Sequence, residues 1–182
     1  MPTLVAMIRG INLGRINRLS MGDLARVIQE LGGEHSRTYL QSGNVVFDGP
    51  LGARPDAAAA IAGGIREANR LTVDVITRRA DELRAIAAMS PFPNAQPAAL
   101  HVTFLSETPD ADRVAAIDRQ RFAPDALEVA GREIYLHCPN GYGTSKLSNA
   151  FFQKRFGVVA TTRNLKTVQA LAELASETPA RE

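Results

Sequence analysis

Between residues 3 and 77 the spacing of apolar side chains alternates between strand-like and helix-like periods, and that order constrains the fold more than any other feature. A short apolar run from Thr3 to Ile8 reads as a strand. Ser20 then stands as a helix N-cap with Asp23 three residues on, a variant of the capping box. Leu24, Val27, Ile28 and Leu31 follow at i, i+3, i+4 and i+7, which is one buried helical face, and Gly32-Gly33 stops the helix. "SRTYLQSGNVVFD" predicts two strands around a tight turn at Ser42-Gly43. Pro55 opens an Ala-rich helix to about Asn69, and the β-branched run "LTVDVIT", residues 71–77, predicts a fourth strand. The order is βαββαβ, the ferredoxin-like arrangement.

A short helix near residues 81–89 leads to "SPFPNAQP", residues 90–97, where three prolines mark a linker or sharp turn. The order then recurs. "LHVTFL" (100–105) is a strand, Thr108-Pro109 starts a helix to about Gln120, and "ALEVAGREIYLHC" (126–138) makes a hairpin around Gly131. "TSKLSNAFFQKRFG" (144–157) is a helix capped by Thr144 or Ser145, with Leu147, Ala150 and Phe151 on one face. "VVATT" (158–162) is a short strand before a terminal helix carrying Leu165, Val168, Leu171 and Ala172. The expected fold is α+β, with two ferredoxin-like subdomains in tandem and extra helices. They divide as residues 1–90 and 91–182, the second including the terminal helix. No identity between the halves is evident, so the duplication rests on element order alone.

An apolar fraction of 45% and a charged fraction of 22% are those of a globular protein that buries a core. No apolar run approaches the ~20 residues of a membrane span, and the run Leu4 to Ile8 is too short for a signal-peptide core, so no membrane partner is expected. A lone cysteine, Cys138, excludes an internal disulfide and fits a reducing compartment, the cytoplasm.

The net charge of +2 conceals a segregation of sign. Residues 1–22 hold Arg9, Arg15 and Arg18 and no acid. Residues 134–172 hold Lys146, Lys154, Arg155, Arg163 and Lys166, again with no acid. Such segregation speaks to partners and not to fold, and a solvated basic face is its plainest reading.

The first of these segments has the composition of an anion-binding loop. Arg9 follows a strand, Gly10 and Gly14 permit positive φ so that backbone N–H groups can turn inward, and arginine supplies a planar fork for phosphate or carboxylate. Asn12 and Asn17 can fix the loop by bonding backbone, and Arg18 adds a further cation. "GINLG" matches neither the dinucleotide fingerprint nor the P-loop, and a tight loop whose arginines face water is the structural alternative. In the second segment "NGYGTSKLSN" enters a helix with Lys146 in the expected first turn, where free N–H groups favour anions. Arg163 and Asn164 lie at a further strand-to-helix junction.

Other chemistries are less well provided for. His35, His101 and His137 are scattered and lack the spacing of a ligand pair, so no metal site is expected, and no motif for a cofactor is present. Cys138 beside His137 falls on a predicted strand, where adjacent side chains point to opposite faces. Neighbouring Ser145 and Lys146 make a poor nucleophile pair.

"RGINLG", Met21, "TYLQSGNVVF" (38–47) and "TTRNLKT" (161–167) resemble the bacterial family called domain of unknown function 1697, over nearly the whole chain. The resemblance implies a two-part α+β fold with ferredoxin-like subdomains and no assigned activity. It carries onto Arg9, Gly10, Asn12, Gly14, Gln41, Ser42, Gly43, Asn44, Lys146, Arg163 and Asn164. Where the family usually has tryptophan after the Arg-Asn pair, this chain has Leu165. Gln41, Ser42 and Asn44 flank the expected turn and either bond a ligand or satisfy the turn itself.

Three functional readings follow. One is a binding protein for a phosphate-bearing anion, a nucleotide-like metabolite or a nucleic-acid backbone, held in a basic basin. Aromatics are 5% of the chain with no tryptophan, and "NVVF" offers only Phe47, so backbone or small-phosphate recognition is favoured over base stacking. Another is an enzyme acting on a small anionic substrate, for which Tyr39, Tyr142 or His137 would have to serve as base. A protein-interaction scaffold is the third, blander alternative.

Overall fold

The computed structural model describes residues 2–177, and its elements alternate as the sequence order requires. The described residues of Met1–Ala85 and Ala170–Glu182 form one compact unit, and Ile86–Gln169 the other.

In the first unit β1 (Leu4–Ile8) leads to α1 (Met21–Glu30), the hairpin β2 (Glu34–Tyr39) and β3 (Asn44–Asp48), α2 (Ala57–Asn69) and β4 (Val75–Arg79). The sheet order is β2-β3-β1-β4 with every neighbour antiparallel, the ferredoxin-like order. β1 and β2, joined through α1, are separated by β3, which pairs with both, as in the split βαβ arrangement. Helices α1 and α2 cover one face, where Leu4, Ala6, Ile8, Val45 and Phe47 meet Leu24, Val27, Ile28, Ile61 and Ile65. Val5, Met7 and Val46, on the opposite face, are also fully buried. Ser20 caps α1 by accepting from Asp23 N at 3.0 Å, as the capping pattern predicts.

The second unit repeats the order. α3 (Ala80–Ala88) crosses the boundary at Ala85 and precedes β5 (Leu100–Leu105), α4 (Ala111–Ala115), β6 (Ala126–Ala130), β7 (Glu133–His137), α5 (Asn149–Phe156) and β8 (Ala160–Asn164), while α6 (Leu165–Ser176) starts in this unit and from Ala170 belongs to the first. Its sheet order is β6-β7-β5-β8, again antiparallel throughout. Leu105, Leu127, Ile134 and Leu136 pack with Leu147, Phe152 and Phe156 in its core. The chain is thus two ferredoxin-like subdomains in tandem. Among the described residues no helix is long and apolar enough to cross a membrane.

Three expected elements shift. The fourth strand begins at Val75, because Leu71 and Val73 pack on the core without joining the ladder. The helix expected from Thr108 to Gln120 runs only over α4, capped by Asp110. Beyond it the Asp118 side chain accepts from Gln120 N and starts a separate turn. The helix expected from residue 144 begins at Asn149, capped by Ser148. Ser145 Oγ instead accepts from Leu147 N at 3.1 Å, an arrangement that competes with helix initiation. Lys146 therefore lies in a loop, not in a helical first turn.

Candidate functional site

The loop between β1 and α1 folds back on itself. Asn12 N donates to Asn17 O at 3.0 Å and Ile16 N to Leu13 O at 3.1 Å, making a miniature hairpin with Leu13 opposite Ile16. Gly10, Asn12, Gly14 and Asn17 all adopt positive φ, a conformation that glycine and asparagine tolerate best.

Two asparagines lock this shape. Asn12 Nδ2 donates to Leu19 O at 2.8 Å and to Gln41 O at 2.7 Å, while Asn12 Oδ1 accepts from Leu19 N at 3.0 Å. Asn17 Nδ2 donates to Gly10 O at 3.0 Å. The β2–β3 turn, residues 40–43, is stitched on in the same way. Asn44, fully buried, donates to Tyr39 O and to Ser42 Oγ. Gly43 O accepts from Ile8 N at 2.8 Å, and a Cβ on Gly43 would stand 2.6 Å from Ile11 Cδ1. The polar side chains of Asn12, Asn17 and Asn44 thus build the loop pair, and what they leave free is the charge above it.

That charge is Arg15 and Arg18. Both are exposed, and neither has an ion-pair partner among the described residues. Arg9 differs: Nη1 lies 3.3 Å from Asp74 Oδ2, and Arg9 N donates to Asp74 O. The acid missing from the local sequence comes from the residue preceding β4, so Arg9 has an ion-pair partner, which Arg15 and Arg18 lack among the described residues.

Asn12, Gly14, Arg18, Leu19, Ser20, Asp23 and Gln41 line an open depression of about 520 Å³. It is a broad basin, not a closed cleft. Its hydroxyl, Ser20 Oγ, is already engaged at Asp23 Oδ2 (2.7 Å), and Asp23 pairs with Arg26. The Ser20–Asp23 pairing belongs to the cap of α1, where Ser20 Oγ also accepts from Asp23 N at 3.0 Å. Leu13 and Ile16 project beside Arg15 with 66% and 67% of their area exposed, and Leu40 lies exposed on the neighbouring turn.

The remaining sequence-derived residues belong to the second unit. Arg163 Nη1 donates to Thr161 Oγ1 at 2.8 Å and to Thr162 O at 3.0 Å, and burial pushes its pKa down to about 10. Asn164 Oδ1 accepts from Lys166 N at 2.9 Å, a backbone-capping role at the start of α6. Lys146 is exposed, and its neighbour Ser145 donates through Oγ to Asp125 at 2.7 Å.

A polar cluster in the second unit escapes sequence reading. Thr162 Oγ1 meets Thr103 Oγ1 at 2.7 Å and Asn149 Oδ1 at 2.7 Å, and it accepts from Tyr142 Oη at 3.1 Å. His101 stacks on Tyr142 with ring centres 4.9 Å apart, and burial lowers its pKa. Tyr142 is thus tied into the packing. Cys138 is fully buried, which pushes its thiol pKa up, so it is no ready nucleophile. Phe47 is a core residue and forms no stacking platform. Among the described residues Glu34, His35 and Asp48 are grouped closely enough to hold a metal ion.

The conserved bacterial protein SP0830 from Streptococcus pneumoniae has a similar structure. The TM-score is 0.73 at 17% identity, covering 96% of this chain and 99% of that one, a likeness of fold. Among curated proteins, none matches the chain. The model of the family described as protein of unknown function (DUF1697) matches residues 1–135, and the chain belongs to that family.

Proposed function

We propose that the first unit binds a phosphate-bearing polyanion at the β1–α1 loop, with a nucleic-acid backbone as the ligand class the geometry favours. The observation that carries this reading is the pair Arg15 and Arg18. They are exposed and without ion pairs among the described residues, on a loop that Asn12 and Asn17 hold in one conformation. Preorganisation of this kind lowers the ordering cost of binding. The breadth of the basin, about 520 Å³ and open, suits an extended backbone better than a small substrate that must be enclosed. The exposed Gln41 side chain and the backbone at Gly10 and Gly14 are the neutral contacts of this site. Arg9, Ser42 and Asn44 support it by holding the loops. In the second unit, taken by itself, Lys146 is an exposed cation, and Arg163 and Asn164 hold the local backbone. The lone buried Cys138 fits a cytoplasmic setting.

Titration of a short labelled single strand, followed by fluorescence anisotropy at several salt concentrations, tests the reading. Binding whose log affinity falls linearly with log salt supports it. Absence of binding at low salt removes the nucleic-acid ligand and turns the search to small anions.

A further inference from the structure

We propose that Glu34, His35 and Asp48 form a binding site for a divalent first-row transition cation of the Zn²⁺ type. One ligand atom of each lies within 4.8 Å of those of the other two. His35 Nδ1 and Asp48 Oδ1 are 2.9 Å apart. Donors bonded to zinc at 2.0–2.2 Å stand about 3.4 Å from one another in a tetrahedron, so small rotamer adjustments close the site.

The backbone is what brings these groups together. Glu34 and His35 are sequence neighbours on β2, and neighbours on a regular strand point to opposite faces. Here the pairing with β3 shifts register between Glu34 and Arg37, and His35 takes φ +47°. A bulge re-aims side chains, and this one turns His35 toward Asp48, which is the cross-strand partner of Glu34. Gly49, at φ +85°, completes the arrangement. A Cβ there would stand 2.9 Å from Glu34 Cγ, in the space the glutamate stem occupies.

The donor chemistry selects the cation. One imidazole and two carboxylates suit zinc and its neighbours, whereas calcium takes six to eight oxygens. Two carboxylate charges balance a divalent ion. Glu34 and His35 are exposed on the outer strand of the sheet, so a bound ion keeps coordination positions open to solvent. Histidine spacing along the chain misses such a site, because its third member lies 13 residues away across a strand pair.

Isothermal titration of the full chain with zinc chloride, in a non-coordinating buffer, tests the proposal. One saturable ion per chain is expected. His35→Asn removes the imidazole while retaining a residue that tolerates positive φ, and Glu34→Gln removes one charge. Each should weaken zinc binding at least tenfold, with circular dichroism unchanged. If His35→Asn proves misfolded, Glu34→Gln decides. Failure to saturate near one ion per chain, or affinity within twofold of the parent in the folded variants, overturns the site.

Discussion

Asn12 and Leu19 bond each other twice: Nδ2 of the asparagine donates to the leucine carbonyl at 2.8 Å, and the leucine N–H returns to Oδ1 at 3.0 Å. This reciprocal pair closes the β1–α1 loop from within and seats Leu19 in the core at 1% exposure. The loop is therefore a fixed platform, and Arg15 and Arg18 are carried on it rather than disordered beside it.

Asn12→Gly keeps the positive φ and deletes three side-chain bonds, so it should cost about 1.5–4 kcal/mol of unfolding free energy. Asn12→Ala should cost roughly 1 kcal/mol more, since alanine is poorer in the left-handed region. Urea denaturation of both variants checks the order as well as the size.

Gly43→Ala should be more damaging than its size suggests. The new methyl would meet Ile11 Cδ1 at 2.6 Å and Ile8 Cβ at 3.0 Å, at φ +78°. A loss above about 2 kcal/mol is expected, read as a lowered melting temperature. A melting temperature equal to the parent's would show that the turn is not held against the core.

Arg163→Lys should lower stability by about 1–2 kcal/mol, because a single ammonium cannot reproduce the guanidinium's contacts to Thr161 and Thr162. Chemical denaturation measures it. Parent-like stability together with weakened polyanion binding would instead make Arg163 a ligand contact.

His101 gives a signed pH dependence. Burial disfavours its charged form, so its folded-state pKa lies below the ordinary 6.5. As pH falls through 6.5 the unfolded chain takes up the proton first, and stability drops until the pH has passed the folded value. His101→Phe retains a ring against Tyr142 and should flatten the melting temperature between pH 7 and pH 5. An unchanged pH profile would mean that His101 protonates equally in both states.

Element order was legible in the sequence because the apolar period, the Ser20 cap and the glycine stops all act locally. β5 lies where its apolar run predicts, and both hairpins form. The errors fall where a single polar side chain decides, as when Ser145 and Asp118 bond nearby N–H groups and end or delay a helix. The loop with Arg9, Asn12 and Arg18 was legible as a unit, but the division of labour within it was not. Asp74 reaches Arg9 from 65 residues away, and Gln41 O meets Asn12 across 29. Glu34, His35 and Asp48 were hidden for the same reason, since a cross-strand register and a bulge leave no spacing to read.

The most direct test compares the parent chain with the Arg15→Ala/Arg18→Ala double variant in salt-dependent anisotropy with one labelled single strand. Both side chains are exposed and neither has an ion-pair partner among the described residues, so the variant should melt at the parent temperature. Weaker binding is expected, with a log affinity against log salt slope shallower by about 1.4, the share of two phosphate contacts on a single strand. An identical slope and affinity in a folded double variant would contradict the loop's role in binding.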